Sequence, residues 1–128
     1  QRICAAARDK GVACALVYED PAIGESAVRA HRDQYRYRNM IAVIDRDRAI
    51  SERAKARVTP EAVLVDRAGV IKYRGRTDNR SIALGKPRQR VTVHGLRDAT
   101  DAVLAGRAIT HSETEAFGCF IPPRRYQP

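Results

Sequence analysis

At 128 residues the chain has the length of one domain, enough to bury roughly two-thirds of its unfolded surface in a core. Hydrophobic residues at 44% and charged residues at 30% are those of a globular protein; no apolar run approaches the ~18 residues of a membrane span, and no stretch reads as a signal peptide. The net charge of +9 invites a nucleic-acid reading. The arginines, however, are spread through every segment, aromatics are only 5%, and the two interleave only at Tyr35-Arg36-Tyr37-Arg38. A solvated arginine-rich surface fits that pattern better than a base-stacking face, and argues against a nucleic-acid partner.

Gln1 to Lys10 is predicted to be the end of a helix closed by Gly11. Ile3, Cys4 and Ala7 already form its apolar side, which implies a natural chain that starts upstream of Gln1. Val12 to Tyr18 (VACALVY) is apolar on both faces, as in a strand buried in a parallel sheet, and Glu19-Asp20-Pro21 ends it. Glu25 to Arg38 sets Val28, His31 and Tyr35 at helical spacings. Ile41 to Ile44 is a short strand stopped by Asp45, and Arg48 to Arg57 is a second helix.

Thr59-Pro60 then leads into a strand over Ala62 to Val65, the turn Asp66-Arg67-Ala68-Gly69, and an antiparallel return over Val70 to Arg74. The polar stretch Asp78 to Val93 is long for a plain connection and is either functional or mobile. Leu96 to Ala105 places Leu96, Ala99, Thr100, Val103 and Leu104 on one helical face; Gly106 stops it, and a C-terminal tail follows from about residue 107. Such alternation implies an α/β domain with crossover connections and a mostly parallel sheet, the hairpin adding an antiparallel edge.

The three cysteines, Cys4, Cys14 and Cys119, show neither CxxC nor metal-ligand spacing, and His31, His94 and His111 are equally dispersed. No metal site is expected. Cys14, inside an apolar strand, reads as an inert buried thiol. Cys119 in Gly118-Cys119-Phe120-Ile121 is either a second reactive thiol or a small apolar residue in a docking segment. His94 reads as a loop-packing residue, and Arg76 and Asp78 as organisers of the loop they begin. Asn79-Arg80-Ser81 fits a glycosylation sequon, a frequent chance match. Pro60 stands out because proline cannot donate a ladder hydrogen bond; one reading is a trans residue opening an edge strand.

Thr59-Pro60, the strand after it, the DRAG turn and the returning strand resemble the second half of a thioredoxin fold. The helix and strand over Glu25 to Ile44, inserted before the helix that leads to Pro60, narrow the resemblance to the redoxin or peroxiredoxin-like branch, of the alkyl hydroperoxide reductase and thiol-specific antioxidant type. LVYEDP, VRAHRDQY, VTPEAVLVDRAGVIKYRGRTDNR, HGLRDATDAVLAG and GCFI carry it across essentially the whole chain.

The resemblance implies one thioredoxin-like domain, a three-layer sandwich whose first strand and motif-helix start lie upstream of Gln1. It implies a cis Pro60, which a fold can hold because an X-Pro bond prefers trans by only ~0.5–1 kcal/mol, with Thr59 turned toward an extended substrate or partner thiol. Its chemistry is thiol–disulfide exchange or peroxide reduction by a thiolate at a helix N-terminus, with no cofactor. The partner is a thiol or disulfide protein, or a peroxide; the setting is bacterial and leans toward the periplasm or another extracytoplasmic space. The motif cysteine falls upstream, since Cys4 lies too late in its helix, and Cys119 becomes a candidate resolving or structural thiol.

Three functions remain open: a thiol-dependent oxidoreductase, a non-catalytic redoxin-like binding module, and a basic nucleic-acid binder whose affinity would fall steeply with salt. A sheet lacking its central strand leaves unpaired backbone on two neighbours. The 128-residue chain by itself is therefore expected to be marginally stable, oligomeric, or completed by another segment. Thermal unfolding at several protein concentrations checks this: a concentration-dependent transition is expected, and a sharp, concentration-independent one contradicts it.

Overall fold

The computed structural model describes residues 2–37, 39–78, 81–83, 86–87 and 94–124, with the backbone alone at 81–83 and 86–87. Helices and strands alternate in a mixed α/β arrangement. Two compact units divide the chain, one of Gln1–Arg53 with Pro123–Pro128 and one of Ala54–Pro122. Among the described residues, no helix is long and apolar enough to cross a membrane.

The first unit contains α1 (Arg2–Arg8), β1 (Ala15–Tyr18), α2 (Glu25–Gln34), β2 (Ile41–Ile44) and α3 (Ala49–Arg53). A helical crossover through α2 returns the chain in the same direction, so β1 and β2 pair in parallel from Ala15↔Ile41 to Tyr18↔Ile44. β1 is shorter and less buried than its apolar sequence predicts. Val12 to Cys14 stay outside the ladder, and Ala15 and Val17 are exposed, because among the described residues β1 has a single strand neighbour. The helices α2 and α3 also end early. α2 stops at Gln34, where Tyr35 caps it and Arg36 adopts a left-handed φ of 59°. α3 stops at Arg53, ahead of Lys55 at φ 54°. Gly11 turns at φ 83°, where the helix stop was expected.

A side chain starts α3. Asp45 ends β2 and is only 3% exposed. Its carboxylate accepts from the Ile50 N–H (3.1 Å), the Ser51 N–H (2.8 Å) and the Ser51 hydroxyl (2.7 Å). A five-residue helix has little stability of its own, so satisfying its first N–H groups decides whether it forms.

The second unit contains β3 (Val58–Thr59), β4 (Ala62–Val65), β5 (Ile71–Gly75), β6 (Ser81–Ala83), β7 (Lys86–Pro87), α4 (Gly95–Leu104) and β8 (Cys119–Phe120). β4 and β5 form the expected antiparallel hairpin, with a register shift beside Val65. In its turn the Asp66 carboxylate accepts from Ala68 and Val70 N–H groups, both at 2.9 Å. Apolar alternation lays α4 on this hairpin, burying Ala99, Thr100 and Ala102. Tyr73 is fully buried, and its hydroxyl meets the Thr114 hydroxyl at 2.7 Å and donates to the Arg76 carbonyl. Part of the long polar stretch pairs as β6 and β7. Beyond Asp78, the rest of it, with Asn79 and Arg80 of the sequon, lies outside the described residues.

Burial alone would raise the Asp45 pKa, but the hydrogen bonds from Ser51 and Ile50, aided by the Arg124 charge, hold it below its ordinary 3.8. A carboxylate depressed in the folded state stabilises above its unfolded pKa, and that stability is lost as pH falls through the lower folded value. Unfolding free energy should therefore decline below about pH 4, and Asp45→Ala should flatten that decline while costing about 1–2 kcal/mol at neutral pH through the lost cap. Urea titrations of both proteins across pH would show this.

Candidate thiol site

The segment expected as a tail returns to the second unit and is bound there at three points. The Arg74 N–H donates to the Ser112 carbonyl and the Thr114 N–H to the Arg74 carbonyl, each at 3.0 Å, making a parallel bridge at Glu113. β8 then pairs antiparallel with β3, setting Val58 opposite Phe120 and Thr59 opposite Cys119. Finally the Ile121 N–H donates to the Arg57 carbonyl at 2.9 Å, and the Ile121 side chain is buried.

This lacing brings together the residues singled out in the sequence. The Thr59–Pro60 peptide bond is cis, as the resemblance implied. Pro60 and Cys119 are exposed, Thr59 is half-buried, and Cys119 is a free thiol. Phe120 beside it is 71% exposed, an unusual position for a large apolar side chain that has a strand partner. Gly118 explains the close approach: a methyl group there would overlap the Thr59 carbonyl and crowd the Pro60 nitrogen. No residue with a side chain can occupy that position without moving β3 and β8 apart.

A set of charges that the sequence did not reveal secures the same segment. Glu113 accepts from the Arg74 guanidinium at 2.8 Å and lies 3.1 Å from that of Arg57. The hydrogen bond and charge of Arg74, then those of Arg57, hold its carboxyl below the ordinary glutamate range. Glu61, directly after Pro60, accepts from the Arg57 N–H at 2.8 Å and pairs with the Arg57 guanidinium at 3.5 Å; its side chain is 1% exposed. The four-residue spacing of Arg57 and Glu61 was the available signal, but it falls in non-helical chain, where spacing alone does not fix contact. Arg74 also donates to the Lys55 carbonyl at 3.0 Å, so one arginine ties the chain before β3 to the returning segment.

The other candidates lie elsewhere. His94 stands at the N-cap position of α4 without a side-chain cap hydrogen bond. The Arg76 N–H donates to the Thr114 hydroxyl at 3.1 Å, a contact with the returning segment rather than with the long polar stretch. Cys14 is not an inert buried thiol. Helix α1 reverses at Gly11, Cys14 stands half-exposed ahead of β1, and it is disulfide-bonded to Cys4 with Cα atoms 5.9 Å apart. The Tyr35 and Tyr37 rings stack at 6.0 Å around His31, whose Nδ1 lies 2.8 Å from the Tyr18 hydroxyl. The interleaved tyrosines of the sequence thus pack against a histidine, forming a local aromatic cluster.

The fold is shared with two solved structures. A hypothetical protein from Sinorhizobium meliloti 1021 is 26% identical with a TM-score of 0.76 over 94% of this chain. An uncharacterized conserved protein from Geobacillus kaustophilus is 23% identical with a TM-score of 0.75 over 99% of this chain. In both, the chain spans 66% of the other protein's length. No family model and no curated protein matches the chain.

Gly118→Ala tests the close approach. The added methyl meets backbone, which cannot swing aside as a side chain would, so a loss of about 1–3 kcal/mol is expected, with faster alkylation of Cys119 as β8 separates from β3. Denaturant unfolding and thiol-trapping rates measure the two effects.

Proposed function

We propose that the chain is a thioredoxin-like domain of the redoxin type, and that it takes part in thiol–disulfide exchange or thiol-dependent peroxide reduction. One observation carries the reading: the β3–β8 register, which sets the free, exposed thiol of Cys119 opposite Thr59 and next to Pro60. Support also comes from the element order, in which α2 and β2 fall between β1 and the helix before Pro60, as in the redoxin branch. The three-layer sandwich belongs to this proposal; among the described residues β1–β2 is the parallel pair expected of it, and β3–β8, β4–β5 and β6–β7 are antiparallel.

In exchange, a thiolate attacks a disulfide sulfur, the old S–S bond breaks, and the displaced thiolate takes up a proton. Cys119 serves as the second thiol, closing a disulfide with the sulfur of a nucleophilic cysteine ahead of Gln1. Thr59 presents backbone to an extended partner. Phe120 and Pro60, both exposed beside the thiol, offer apolar surface to a disulfide-bearing protein. Neither Glu61 nor Glu113 touches Cys119 in any hydrogen bond; their role is to hold the arginines that fix the segment.

The test is turnover of a disulfide-linked reporter peptide and of hydrogen peroxide, with dithiothreitol as reductant and the natural full-length protein as enzyme. Cys119→Ser is expected to lower turnover roughly tenfold or more by removing the second sulfur. Unchanged turnover removes Cys119 from the mechanism. A protein without turnover that still forms a stable mixed disulfide at Cys119 is the non-catalytic binding module instead.

A further inference from the structure

The Cys4–Cys14 disulfide plays no part in the Cys119 reading and lies in the other unit. Cys4 belongs to α1, Cys14 stands just ahead of β1, and both are half-exposed. Together they line an open cleft of about 350 Å³ that also holds Arg8 and Asn39. Arg8 follows Cys4 by four residues on the same helix, which places both on one side of it. Its guanidinium donates to the Asn39 carbonyl at 3.4 Å, reaching across the cleft.

The turn spanned by the bond is held without it. The Lys10 and Val12 N–H groups donate to the Ala7 carbonyl at 3.0 and 3.2 Å, and the Gly11 N–H donates to the Arg8 carbonyl at 3.1 Å. β1 is fixed separately by its ladder with β2. A disulfide restrains the unfolded chain most when it closes a long loop, and here the cysteines are 10 residues apart. Structural disulfides resist reduction, whereas exposed ones are the labile, regulatory or catalytic ones. This one faces a cleft, beside a cation.

We infer that Cys4–Cys14 is a redox-active disulfide that accepts two electrons from a dithiol reductant at the Arg8 cleft. A thiolate of the reductant attacks Cys14 Sγ; the Cys4–Cys14 bond breaks, a mixed disulfide forms at Cys14, and Cys4 leaves as a thiolate. The second thiolate of the reductant then attacks the reductant's own sulfur in that mixed disulfide. The reductant closes into a disulfide and Cys14 is released. The two protons of the dithiol end on Cys4 and Cys14, directly or through water. Arg8 determines the direction: a cation one helical turn from Cys4 favours departure of the Cys4 sulfur as a thiolate.

The test treats the intact chain with dithiothreitol under native conditions, tags thiols with a maleimide, and maps the tagged cysteines by mass. Cys119, free from the start, reports the tagging efficiency. Cys4 and Cys14 are expected to become tagged together while the far-ultraviolet circular dichroism is retained. Arg8→Gln should slow their reduction roughly threefold to tenfold, because the cation that favours the departing Cys4 thiolate is lost, and Arg8→Lys should restore most of the rate. Arg8 is exposed, so neither variant threatens folding. The inference is overturned if the pair stays closed until denaturant is added, if reduction abolishes the circular dichroism, or if Arg8→Gln is reduced at the parent rate.

Discussion

Gly118 passes over the Thr59 carbonyl at a distance that only a residue without a side chain permits. That approach lets two residues of β8 pair with two of β3, a ladder too short to persist by its own hydrogen bonds. Everything around it compensates. Ile121 anchors one end by burying its side chain and bonding to the Arg57 carbonyl. At the other end Glu113 lies between Arg74 and Arg57, and Thr114 shares a hydrogen bond with the buried Tyr73. Cys119 therefore has a defined position although it is exposed, because the backbone carrying it is determined from both sides.

Local signals mark the elements well where a short stretch decides the outcome. The β4–β5 hairpin follows from the DRAG turn, whose aspartate satisfies two backbone N–H groups. Helix α4 follows from its apolar face and the glycine beyond it, which sits at φ 68°. The ends of α2 and α3 were harder. Arg36 and Lys55 adopt left-handed conformations that no pattern in arginine or lysine foretells. The short β6–β7 pair and the return of the last segment were not legible because pairing between strands depends on partners far along the chain. The Cys4–Cys14 bond was missed for a related reason: strand periodicity was extended over Val12 to Cys14, where the chain is still turning. For the site, Thr59, Pro60 and Cys119 were marked by residue type and resemblance, whereas Glu61 and Glu113 matter only through contacts that tertiary structure creates.

Arginine carries much of this architecture. Arg48 is nearly buried and pairs with Glu19 at 3.6 Å while donating to the Glu19 carbonyl at 3.3 Å. Arg32 and Arg46 donate to the Met40 and Pro21 carbonyls at 2.7 and 3.0 Å, and Arg124 reaches Glu52 and Asp47. A guanidinium offers five donors in a rigid plane and can serve a carbonyl and a carboxylate at once, which lysine does poorly. The positive charge that first suggests a binding surface is thus partly committed to holding loops against short strands. Exposed pairs of this kind contribute little singly; their weight lies in fixing chain direction where hydrogen-bond ladders are only two to five residues long.

The Thr114 hydroxyl meets Tyr73, accepts from the Arg76 N–H, and occupies space left open by Gly75. Residues 105–108 and 110–113 are exposed, and the connection before Ser112 could gain or lose residues at little cost, as surface loops do. The segment is fixed at Thr114, at Cys119–Phe120 and at Ile121, so a single-residue deletion between Thr114 and Gly118 would break the register of the tyrosine contact with the β3–β8 pairing. The segment from Thr114 to Ile121 is thus held at both ends by the hairpin and β3, and an insertion that respects the fold belongs before Ser112.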